Sequence, residues 1–195
     1  AHLELHPSRD VLFATSYFDH HLGSFDVSDP ADIRIMDTTG ERLVAPHEIV
    51  YDRGRLYVAS MYDNGAENPR ENGALVVYDV SNPASLRVRS ELRMGREYPE
   101  NQYPFDMLHG LRLDSSRNLL FGSSQKKEGT PCGDDNCALT VFDVSDPDEP
   151  VWLVSLHDCE WLNGAQQVDF RGDVLFTANH DVPSVAAFRL SRPSV

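Results

Sequence analysis

A chain of 195 residues can bury a substantial core, and 41% hydrophobic with 25% charged residues is ordinary for a globular protein. Thirty-one acids against 17 bases give a net charge of −14, which argues against nucleic acid or an anionic membrane as partner. No apolar run approaches the roughly 20 residues of a membrane helix, so no membrane insertion is expected. No leader peptide is visible, and Ala1 is compatible with a first residue left after processing.

The predicted elements are short strands. Leu3 and Leu5 alternate, His6–Asp10 turns the chain, and Val11–Ser16 forms a second strand. A loop at Asp19-His20-His21 leads to strands at Ser24–Val27 and Ile33–Met36. The order then recurs: Glu48–Tyr51, a turn at Asp52-Arg53-Gly54, Leu56–Met61, a loop, Leu75–Val80 and Leu86–Leu92. A third round runs through Leu111–Leu113, Leu119–Ser123, Leu139–Val144 and Val151–Leu156. The fourth has Gln167–Phe170, Val174–Ala178 and Val185–Leu190, with no convincing fourth strand. No apolar stripe keeps helical spacing, so the chain should be nearly all-β.

The third strands of these rounds echo one another: GSFDVSDP, ALVVYDVSNP, ALTVFDVSDP and the degraded SVAAFRLSRP. Phe25, Tyr78, Phe142 and Phe188 should occupy one register, and Phe13, Tyr57, Phe121 and Phe176 another. Four-stranded antiparallel units at this period predict a β-propeller of about four blades, approximately 1–46, 47–108, 109–165 and 166–195. Stacked blades bury both faces of each sheet, which one isolated sheet cannot do. A two-sheet sandwich would not need four matching units.

LTVFDVSDPDEPVWLVSL and LVVYDVSNPASLRVRSEL resemble the LVIVD repeat of bacterial and archaeal surface propellers. LHGLRLDSSRNLLFGSS resembles the blade opening of YVTN and lactonase-like propellers. Such propellers usually have six to eight blades, so the resemblance implies a small ring that closes differently or a part of a larger one.

Of the three cysteines, Cys132 and Cys137 flank Gly-Asp-Asp-Asn, and this short loop is expected to close in a Cys132–Cys137 disulfide. The spacing is not a zinc-ribbon pattern. Cys159 is left buried, free or paired with another chain. An oxidised pair would place the protein outside the cytoplasm.

The resemblance also implies that loops entering first strands, and loops joining second to third strands, share one face around the axis. That face would collect His2, His47, His109 and Gln166 with Asp19, His20, His21, Asp63, Asn64, Lys126, His180 and Asp181. Tyr98, Tyr103 and Phe105 join it, as do His157, Asp158, Cys159, Glu160 and Trp161. His47, His109 and Gln166 each stand two residues before the first apolar position of an inner strand, so they should converge, with His2 close by but offset by one. Imidazoles suit a divalent transition metal, so His47, His109, His2, Gln166, His20 and His180 are the candidate ligands. The bland reading is that His opens a blade by bonding a neighbouring loop. Asp26, Asp29, Asp143 and Asp146 sit on the opposite face, where they can bond their own turns; calcium there would need more oxygens than one turn offers.

No nucleophile elbow, zincin helix or phosphate loop occurs. The leading expectation is therefore a secreted, periplasmic or cell-surface binding and assembly module, completed by a protein partner or a further propeller segment. A small molecule could occupy its axial face. The alternative is a metal-dependent propeller hydrolase, lyase or oxidoreductase.

Overall fold

The computed structural model describes residues 2–62, 73–93, 105, 107–125, 132 and 137–190. Its strands follow the predicted order. The first sheet holds β1 (Leu3–Leu5), β2 (Val11–Ser16), β3 (His21–Asp26) and β4 (Arg34–Thr39). The second holds β5 (Pro46–Asp52), β6 (Arg55–Ser60), β7 (Ala74–Asp79) and β8 (Arg87–Arg93). The third holds β9 (Leu108–Asp114), β10 (Leu119–Ser124), β11 (Ala138–Asp143) and β12 (Val151–His157). The fourth has three strands among the described residues: β13 (Ala165–Arg171), β14 (Val174–Asn179) and β15 (Ser184–Arg189). Each sheet is an antiparallel meander, and the innermost strands β1, β5, β9 and β13 pack on one another in sequence.

Local chemistry sets the turns. The β5–β6 hairpin puts Arg53 and Gly54 at φ 44° and 80°, the pair of positive values a tight two-residue hairpin requires. In the D-V-S-(D/N)-P segments the aspartates fold the chain on itself. Asp26, Asp79 and Asp143 accept the backbone N–H of Ser28, Ser81 and Ser145. Asp29 and Asp146 likewise accept from Ala31 and Asp148. Their oxygens serve the turns, as the structural reading expects.

Register makes the repeats equivalent. Phe25, Tyr78, Phe142 and Phe188 lie opposite Leu12, Leu56, Leu120 and Leu175 on the neighbouring strand. Phe13, Tyr57, Phe121 and Phe176 lie opposite Ser24, Val77, Val141 and Ala187. A bulge on the outer edge follows at the same place in three sheets, beside Phe25, Tyr78 and Phe142. Successive residues point to opposite faces, so the first aromatic set looks toward the preceding sheet and the second toward the following one. Tyr78 thus packs with Phe13 and Leu22, Phe142 with Tyr57 and Leu75, and Phe188 with Phe121 and Leu139. The core is these three walls between sheets.

The cysteine pairing differs from the expectation. The disulfide joins Cys132 to Cys159, with Cα atoms 5.5 Å apart, and Cys137 is buried outside it. The β11–β12 ladder ends with Ala138 opposite His157, and just beyond it Cys159 meets Cys132. Cys137 stands at the mouth of β11 and turns its side chain into the wall with Phe121 and Leu162. Loop closure within the CGDDNC segment is therefore replaced by a link across a ladder.

Candidate functional site

The polar residues at the axis are aimed by a bulge at the opening of each inner strand. In β5 the register shifts between Pro46 and Ile49, in β9 opposite Ser123/Ser124, and in β13 between Ala165 and Gln167. His47, His109 and Gln166 sit in these bulges. Two residues before each, the backbone is left-handed: Ala45 at φ 51°, Met107 at 42° and Gly164 at 71°. The carbonyls of those three residues accept from Met61, Gln125 and His180 in turn. The positional equivalence read from the sequence is thus present in the backbone. A bulge re-aims a side chain, which is why these positions face the opening and not a wall.

His47 and His109 come together, their ring centroids 3.4 Å apart at an interplanar angle of 35°. Gly110 lets the third sheet approach the fourth here: a Cβ would stand 2.4 Å from the Gln166 carbonyl oxygen and 2.5 Å from Ser123 Oγ. His109 Nδ1 lies 2.9 Å from that carbonyl, which can only accept, so Nδ1 carries the proton. Gln166 therefore contributes a backbone oxygen. His47 is held by its own carbonyl, which accepts from Thr15 Oγ1 at 2.6 Å, while its Nδ1 is buried without a hydrogen-bond partner among the described residues. Burial above all, with the neighbouring imidazole adding to it, lowers the pKa of His47 from 6.5 to about 3. Burial likewise lowers His109 to about 4, against the opposing bond to Gln166. Both rings are neutral at physiological pH.

His2 is offset, as expected, and joins a second row. Its Nδ1 accepts the Ile49 N–H at 3.4 Å, and its Nε2 lies 3.5 Å from Glu48 Oε1. Glu48 Oε2 accepts the Leu111 N–H at 3.1 Å. Desolvation raises the Glu48 pKa to about 7, opposed by the bonds from Leu111 and Gln167. Glu4 Oε1 similarly accepts the Tyr51 N–H at 3.1 Å, and Arg112 pairs with Asp169 at 3.0 Å. Inner strands leave an unpaired edge toward the axis, and His2, Glu4 and Glu48 satisfy part of it from the sheet before. His2, Glu4, Glu48 and Arg112 line an open trough along that edge with Tyr51. Sequence reasoning missed Glu4, Arg112 and Gln167 at the axis, and it places Glu48 only as the first residue of a strand. The available signal was a charged or amide residue within strands that otherwise read apolar.

The other candidates serve the scaffold. His20 Nδ1 accepts the Ala45 N–H at 2.9 Å, and Asp19 accepts from Ser16 Oγ at 2.7 Å. His180 Nδ1 lies 3.0 Å from Asp181 Oδ1 at an exposed loop. Asp158 caps the turn at Glu160 and Trp161, and Cys159 is in the disulfide, so HDCEW is no ligand set. Phe105 is fully buried in the wall between the second and third sheets. Asp63, Asn64, Tyr98, Tyr103 and Lys126 lie outside the described residues. Among the described residues no three His, Cys, Asp or Glu side chains are placed to share a metal ion. The axial pair offers two imidazoles, short of a closed shell.

Residues 70–91 match the LVIVD repeat family. No curated protein matches the chain in sequence. Among solved structures it resembles the Pseudomonas aeruginosa periplasmic gluconolactonase PpgL, at 14% identity and a TM-score of 0.68, over 96% of this chain and 48% of that one. It resembles a chain of the nidogen/laminin complex at 17% identity and a TM-score of 0.58, over 93% of this chain and 56% of that one. The computationally designed Ika4 protein superposes with a TM-score of 0.57 at 11% identity, over 97% of this chain and 96% of that one. The fold is that of a β-propeller of about four blades, with the LVIVD match falling in the second. The chain spans about half the length of the first two structures.

Proposed function

We propose that this propeller segment is a binding and assembly module of a secreted, periplasmic or cell-surface protein, with its ligand point at the His47–His109 pair. One observation carries the reading: a neutral imidazole couple at the mouth of the inner strands, with His47 Nδ1 buried and unpartnered among the described residues. A buried polar atom without a partner costs free energy, which a ligand bringing a hydrogen-bonding group repays on binding. His2, Glu4 and Glu48 are already engaged with backbone N–H groups and Arg112 with Asp169, so recognition falls to the pair. The Cys132–Cys159 disulfide fits an oxidising compartment, as does the periplasmic setting named for PpgL. No helix among the described residues is long and apolar enough to cross a membrane.

A second reading, a metal-dependent hydrolase, lyase or oxidoreductase, is favoured by the same two adjacent rings. Elemental analysis of the purified protein and a gluconolactone hydrolysis assay separate the two. The binding-module reading expects no stoichiometric metal and no turnover above background. Stoichiometric metal or gluconolactone turnover, lost in His47→Gln/His109→Gln without loss of the fold, would establish the enzyme instead.

A further inference from the structure

The two ends of the stack expose the same walls that the interior buries. Toward the preceding sheet, the second sheet presents Tyr51, Leu56, Tyr78 and Val88, packed against the first. The third presents the equivalent Leu113, Leu120, Phe142 and Trp152, packed against the second. In the first sheet these registers hold Leu5, Leu12, Phe25 and Ile35, with Leu5 64% and Ile35 67% exposed. Toward the following sheet, Tyr57 and Phe121 are fully buried, whereas Phe176 in the same register of the fourth sheet is 38% exposed. Val185, equivalent to the buried Leu22, Leu75 and Leu139, is 71% exposed. The two open surfaces are therefore halves of one repeated contact.

A polar contact of the first wall also has a counterpart at the open end, whereas the second and third sheets hold Val50 and Arg112 in that register. Glu4, opposite Phe13, accepts the Tyr51 N–H of the next inner strand. Asp169 stands opposite Phe176 in that register, and Leu5 matches Tyr51. A sheet stacked beyond the fourth should thus bring a backbone N–H to Asp169, as the second brings one to Glu4.

From these matching walls we infer that a second copy of this chain covers them, the fourth sheet of each copy stacking on the first sheet of the other around a common twofold axis. The occupant must offer both wall types at the right registers, and another copy carries one of each. The contact pairs unlike faces, so two copies close a ring only if each contributes half of it. The chain superposes on 48% of PpgL, so two copies supply the length of one such protein. Each copy carries −14, so added salt should tighten the association by screening their repulsion. The inference rests on the assembly part of the proposed function and is independent of the axial ligand point.

Light scattering on a sizing column tests it. The 21.9 kDa chain should run at twice its mass at micromolar concentration. Leu5→Asp and Phe176→Asp, each breaking one wall, should both be folded monomers by circular dichroism. Mixed together they should recover a dimer with one copy of each, because one intact pair of walls remains between them. Should either variant fail to fold, Ile35→Glu or Val185→Glu tests the same wall. A monomeric native chain, a variant that still dimerises alone, a mixture that stays monomeric, or an open series of larger species would each overturn the closed pair. Metal content and gluconolactone turnover, read on the same monomeric variants, report on the axial site separately.

Discussion

The two rims of the stacked sheets are cut from one repeat, yet they leave their polar atoms in opposite conditions. At the lower rim each turn is spent on its neighbours. Arg9 donates to the Ser81 carbonyl at 3.1 Å, Arg53 to that of Val144 at 2.7 Å, and Arg117 to that of Gly172 at 3.0 Å. Arg55 links Asp79 of its own sheet, at 3.1 Å, to Asp148 of the next. At the upper rim the bulged openings bring His47 and His109 together and leave a buried ring nitrogen unpartnered. The lower rim holds sheet to sheet through satisfied charges; the upper rim holds a buried imidazole pair. Binding groups belong where the scaffold does not use them.

The largest expected effect is at the lower rim. Arg55→Ala removes the ion pair between the second and third sheets and leaves the poorly exposed Asp79 with one guanidinium fewer. A partly buried ion pair of this kind should be worth about 1–3 kcal/mol, read from urea denaturation. A loss no greater than that of an ordinary surface substitution would break the contrast between the rims.

The upper rim should show itself through pH. Folding holds His47 near 3 and His109 near 4, below their usual 6.5, so the unfolded chain takes up protons first as pH falls. Their contribution is complete above 6.5 and is lost toward 4. Glu48 acts oppositely: held near 7 against a usual 4.5, its contribution is complete below 4.5 and is lost as pH rises through 7. Between 4.5 and 6.5 two imidazoles outweigh one carboxyl, so the thermal midpoint should climb with pH. In His47→Gln/His109→Gln the slope should reverse to that of Glu48.

The smallest effect is expected for Asp26→Ala. Asp26 bonds the Ser28 N–H in the exposed turn of the first sheet. The equivalent Asp79 also meets Arg55 and Arg89, so Asp79→Ala should lower the thermal midpoint clearly more.

Much of this was legible in the sequence. Alternation around Phe13 and Phe25, with the D-V-S-D-P turn, carries strand order and register because those signals are local. The adjacency of His47 and His109 followed from counting back from the first apolar residue of each inner strand. Two features were not legible. The bulge at Pro46–Ile49 breaks the two-residue alternation, so the side on which Glu48 falls cannot be counted. Cys159 reaches Cys132 only because the β11–β12 ladder returns it there, a contact that spacing within the CGDDNC loop does not contain.

The neutral, desolvated state of the axial histidine pair is measured directly by a proton NMR titration of the His47 and His109 ring signals. Neither ring should titrate between about pH 8 and 5. Midpoints near 6.5 for both rings would show that the pair is solvated and apart, and would remove the proposed ligand point.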